Sequence, residues 1–102
     1  MTNTDVAVEI FRLSQACEQM AGVSILLVNY SQGHGDILTD NSLVDYLLVN
    51  QIPYTVEPWE HNDTVWTHEL TARVGGVKVH TLMDADWLAD LREKEAKTCV
   101  AV

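Results

Sequence analysis

Apolar positions along the chain fall into stretches with three different rhythms. From about residue 4 to 21, Val6, Ile10, Leu13, Cys17 and Met20 recur every three or four residues, and Phe11 widens the stripe. That spacing gathers them on one side of an α-helix. Thr2, Asn3 or Thr4 can cap its start, Asp5 suits its positive end, and Gly22 can terminate it. The run VSILLVNY (23–30) is apolar at successive positions, rich in β-branched residues and too short for a typical helix. It predicts a central strand covered on both faces, or on one face and part of the other. Leu43, Val44, Leu47 and Leu48 return to the helical rhythm over about 41–50, with Asp40 or Thr39 as cap. Pro53 lies beyond, where the helix must have stopped.

The second half alternates. PYTVEPWEH (53–61) reads as extended, and Pro58 cannot donate to a ladder, so this strand is an edge or is broken there. TVWTHELTARV, then Gly75–Gly76, then VKVHTL predicts a tight hairpin, because two glycines supply the positive φ angles of a two-residue turn. The register pairs Val74 with Val77, Ala72 with Val79 and Leu70 with Thr81, on one face with Trp66 and His68. Glu69, Thr71, Arg73, Lys78 and His80 make up the other, solvent-like face. A last helix spans about 84–97. Asp84 is its cap, Asp86 lies in its first turn, and Trp87, Leu88 and Leu91 form a narrow apolar face. Lys94 and Lys97 stand near its negative end.

The order α-β-α-β-β-β-α predicts an α+β fold. Residues 1–102 form one small domain with a sheet of about four strands, mainly antiparallel, and helices mostly on one face. With 102 residues, 47% of them hydrophobic, the chain can bury a core without staples. The two cysteines, Cys17 and Cys99, make no disulfide framework and read as reduced thiols in a cytoplasmic protein. Cys17 lies on the apolar stripe and reads as a small buried hydrophobe. The tail CVAV (99–102) has a cysteine four from the end, as prenylation signals do, but reads better as a frayed terminus or a short extra strand. The start lacks the features of a secretory signal, and no apolar stretch is long enough to span a bilayer.

Charge narrows the functional classes. The net charge is −9, and it is unevenly distributed: residues 1–63 hold nine acids and one base, Arg12, whereas residues 64–102 hold six acids and five bases. Direct binding to nucleic acid or to an anionic membrane is disfavoured.

The candidate sites divide between surface and loop. Trp59 stands among Glu57, Glu60 and Asp63, and tryptophan is a frequent interface anchor. With Asp36, Asp40 and Asp45 these residues compose an expected partner-binding set. The segment NYSQGHGDILTD (29–40) reads as a glycine loop between strand and helix, with Gly33, His34, Gly35 and Asp36 as an alternative ligand site. It matches neither phosphate-binding glycine motif, and no Lys or Arg occurs from 13 to 72. No cofactor is implied. His34, His61, His68 and His80 lack the tight spacing of a metal site, so no metal is expected. Ser24, Ser31 and Ser42 lack a nucleophile-elbow context, and no catalytic residue is assigned.

These features favour a non-enzymatic acidic module that docks on a basic surface of a host protein. By analogy of size and charge alone, it looks like the small inhibitors, including DNA mimics, that phages and mobile elements direct against nucleic-acid enzymes. The alternatives are a small ligand-binding domain or enzyme using the 30–40 loop, and a structural subunit that forms a homodimer through an open sheet edge.

Overall fold

The computed structural model describes residues 2–31, 34–59 and 65–100, with side chains at 2–30, 34–59 and 65–97. Eight elements follow in order: α1 (Asn3–Gln19), β1 (Ile25–Ser31), β2 (His34–Thr39), α2 (Ser42–Val49), β3 (Tyr54–Pro58), β4 (His68–Val74), β5 (Val77–Met83) and α3 (Ala85–Val100). The fold is α+β, but the sheet has five strands rather than about four, in the order β1-β2-β5-β4-β3. It is mixed: β2 and β5 run parallel, and every other pair is antiparallel.

The extra strand comes from the segment expected to be a glycine loop. Residues 34–39 pair with β1, Val28 opposite Ile37 and Tyr30 opposite Gly35. Gly35, Ile37 and Thr39 alternate onto the core face, where Ile37 and Thr39 are fully buried. Glycine is required at 35 by space. A Cβ there would lie 2.8 and 2.9 Å from the two methyls of Leu13 on α1. A glycine that reads as flexibility in sequence is thus a point of close helix–sheet contact.

α1 starts with a capping box: Thr2 Oγ1 accepts from the Asp5 amide at 3.2 Å, and Asp5 accepts from the Thr2 amide at 3.2 Å. Only the second half of its apolar stripe is covered. Leu13, Ala16 and Met20 are buried, whereas Ile10 and Phe11 are 51% and 62% exposed. α2 begins where the Asp40 carboxylate accepts hydrogen bonds from the Ser42 amide and hydroxyl, which hold its pKa below the ordinary value. The Ser42 hydroxyl in turn accepts from the Ser24 amide, tying this corner to the start of β1. α2 ends before Pro53 is reached, in a Schellman closure. Gln51 turns to φ 55°, and the amides of Gln51 and Ile52 bond back to the carbonyls of Leu48 and Leu47.

The β4–β5 hairpin has the expected register, with Gly75 and Gly76 at φ 59° and 80°. Leu70, Ala72, Val74, Val77, Val79, Thr81 and Met83 line its core face. With Ile37 and the buried residues of α1, α2 and Leu91 of α3, the apolar ones among them form one cluster, so the core lies on one side of the sheet. α3 begins with Asp84 accepting the Trp87 amide and continues to Val100, past the predicted end at 97 and in place of a terminal strand. Lys94 locks α3 to α2 through Asp45 at 2.9 Å, a bond that raises its pKa, with Asp90 at 3.2 Å. The Asn41 amide joins three elements: its nitrogen donates to Thr81 Oγ1 and the Leu82 carbonyl, and its oxygen accepts from the Trp87 indole at 2.9 Å.

The largest departure from the sequence reading concerns 23–30. This run forms an edge strand, not a covered central one, and Leu26, Leu27 and Val28 are 62%, 57% and 46% exposed.

The Leu13–Gly35 contact makes a test of helix–sheet packing. Gly35→Ala is expected to lower stability by about 1 kcal/mol, the low end of overpacking because the methyls it meets end a side chain. In a Leu13→Ala background the same change should cost less. Urea unfolding of the four variants of this double-mutant cycle measures the coupling.

Candidate functional site

Among the described residues the three helices leave the other face of the sheet without a helical cover, and alternation decides what the strands display there. One row across the strands is Asn29, Asp36, Lys78 and Arg73; the next is Leu27, Leu38, His80, Thr71 and Thr55; a third is Leu82, Glu69 and Glu57. The parallel pairing of β2 with β5 sets Asp36 beside Lys78 and diagonal to His80. The antiparallel pairing sets Glu69 diagonal to His80 and opposite Glu57.

His80 joins these rows. Its Nδ1 lies 3.1 Å from Glu69 Oε2 and its Nε2 3.6 Å from Asp36 Oδ1. The side chains of all three are partly shielded. A neutral imidazole donates from one nitrogen only, whereas a protonated one serves both carboxylates. Glu57 has no ion pair with any described residue, and it is exposed directly opposite Glu69. Like charges facing each other across a ladder are unfavourable. A line of Asp36, His80, Glu69 and Glu57 thus crosses the face from β2 to β3.

The expected partner-binding set divides. Asp36 and Glu57 share the open face, with Trp59 half-buried just beyond β3, its amide bonded to the Thr67 carbonyl. Asp40 is occupied at the start of α2, and Asp45 belongs to the Lys94 contact on the helical side. Those two carboxylates do not join the line. Glu60 and Asp63, with Gly33 of the alternative ligand set, lie outside the described residues. The line itself contains two residues, Glu69 and His80, that the alternation places only among solvent-like positions. The hairpin register contained the signal for that pair; the place of Asp36 depended on the β2–β5 pairing, which no local pattern encodes.

The alternative ligand residues have a different setting from the one expected. His34, Gly35 and Asp36 are on β2, not in a loop, and line a polar groove of about 530 Å³ with Arg12, Arg73 and Lys78, and with Glu9. Three of the six bases of the chain therefore meet at one place, Arg12 of α1 joining the hairpin pair Arg73 and Lys78 from far away in sequence. The Arg73 guanidinium donates to the Gly76 carbonyl at 3.1 Å, and Arg12 stands 3.9 Å from Glu9. Among the described residues, no three His, Cys, Asp or Glu side chains are placed to hold a metal ion. No helix of the described residues is long and apolar enough to cross a membrane.

No protein-family model matches the chain, and no curated protein or solved structure is significantly similar to it.

The opposed acids set up a mutational test on stability. Glu57→Lys turns a repelling cross-strand pair into an attractive one and should raise stability by roughly 0.2–1 kcal/mol. Chemical denaturation at low salt measures the change, and a loss of stability would show that Glu57 and Glu69 do not interact.

Proposed function

We propose that the protein is a non-enzymatic binding module whose uncovered sheet face docks on a basic surface of another protein. The observation that supports this is the line Asp36–His80–Glu69–Glu57, above all the two acids that face each other at its β3 end, where Glu57 has no ion pair with any described residue. A lysine or arginine from a partner, placed over Glu57 and Glu69, would remove the repulsion and form charge-assisted hydrogen bonds. The net charge of −9 would steer such a partner from a distance. In its finer form, the partner's basic surface is one that ordinarily holds nucleic acid, and the module blocks it by competition, as an inhibitor from a phage or mobile element would. Asp36, Glu57 and Trp59 carry this reading; Asp40 and Asp45 act in the fold.

A second reading, a small anionic ligand in the groove, is favoured by the convergence of Arg12, Arg73 and Lys78 beside His34 and Asp36. The two differ in their response to Glu57→Lys, which removes the docking acid and leaves the groove lining intact.

Capture from cell lysate at low and at high salt tests the docking reading. The immobilised protein should retain basic proteins at low salt, lose them as salt rises, and lose them with Glu57→Lys even though that variant is more stable. Retention that salt does not weaken, or retained proteins with acidic surfaces, would contradict it.

A further inference from the structure

The two edges of the sheet are built in opposite ways. β3, at one edge, has five residues, is preceded by Pro53, ends in Pro58 and carries Glu57. Short length, proline and charge are the devices that keep an edge from pairing with another strand. β1, at the other edge, has seven residues and neither proline nor charge. Its one irregularity, a register shift between Ile25 and Leu27, leaves Leu27–Ser31 in regular pairing with 38–34. Leu27 is exposed on the open face and Val28 on the helical face, so the edge is apolar on both sides. Leu26 extends this surface onto the sheet, where it lines an apolar hollow of about 210 Å³ with Leu38, Trp66 and Leu82. On the helical side, α1 leaves Val8, Ile10 and Phe11 exposed.

From this contrast we infer that β1 is a homodimer interface, pairing antiparallel with β1 of a second copy to make one continuous ten-stranded sheet across a two-fold axis. The lack of charge along β1 admits a second copy as occupant. Two chains of net charge −9 repel each other, and that repulsion is least opposed to association where the contact itself is neutral. Residues 19–35, which contain all of β1, include no Asp, Glu, Lys or Arg, and this is the longest such run in the chain. An antiparallel pair about a two-fold axis is self-complementary, and it satisfies the outward backbone groups of both strands. The inference stands independently of the docking reading, which concerns the open face and the β3 end. Salt separates them: basic-partner binding weakens as salt rises, whereas this dimer persists or strengthens because the repulsion it must overcome is screened.

Sedimentation equilibrium across a concentration series gives the test. The wild-type chain should show twice its own mass at high concentration, with a dimer fraction that holds or grows with salt. Leu27→Lys, and Asn29→Lys at an exposed polar position where no packing is lost, should each weaken association roughly tenfold or more, since each charge enters the contact twice. Thr55→Lys on the opposite edge should leave it unchanged. Circular dichroism checks that each variant is folded, and Asn29→Lys serves if Leu27→Lys is not. A wild-type monomer at millimolar concentration would overturn the inference. So would a dimer indifferent to both β1 substitutions, one lost equally with Thr55→Lys, or one that dissolves in salt.

Discussion

The parallel pairing of β2 on β5 joins what would otherwise be two separate antiparallel pieces. One piece is the β1–β2 hairpin, the other the β3–β4–β5 meander, and Ile37 opposite Val79 is the middle of their junction. Parallel neighbours need a long connection, and here α2, β3 and β4 lie between them in sequence. The junction is held by burial: Ile37 and Val79 are fully excluded from solvent under the helices. Leu13 settles on Gly35, two residues before Ile37 on the same face, so the same strand receives α1.

This one junction determines the rest of the surface. With β2 and β5 in the interior, β1 and β3 become the edges, which is why an apolar run is exposed at one end and a proline-bounded strand at the other. The junction also sets Asp36 diagonal to His80, extending the cross-strand line from Glu57 and Glu69 over four strands. Arg12, Arg73 and Lys78 converge on β2 for the same reason. The bases of α3, by contrast, are used on the helical side: Arg92 with Glu95, Lys97 with Glu93 and Lys94 with Asp90 within the helix, and Lys94 also with Asp45 of α2. The negative excess of residues 1–63 therefore does not map onto one face, since Asp40 and Asp45 serve the helical side.

Legibility in the sequence followed the range of the interactions. Where a periodicity and a turn spoke together, as at Val74–Gly75–Gly76–Val77, the register could be read to the residue. The helix start at Asp84 was also readable, and that of α1 to within Thr2, Asn3 or Thr4, because a cap is a contact between near neighbours. The β2 strand was not, since a glycine that admits Leu13 looks the same in sequence as a glycine that loosens a loop. The exposure of Leu26, Leu27 and Val28 was hidden for a related reason. An apolar run specifies that burial is favourable, not which molecule supplies it. Glu69 and His80 were assigned their face correctly, but their partner Asp36 came from a strand with no sequence-local tie to them.

Both the sheet edges and the cross-strand line depend on β2 lying parallel to β5, and interstrand nuclear Overhauser effects in solution test that arrangement directly. Backbone contacts of residues 36–38 with residues 78–80 in a parallel pattern are the predicted result. Contacts of β2 with β1 alone, or an antiparallel pattern against β5, would separate Asp36 from His80 and contradict the account.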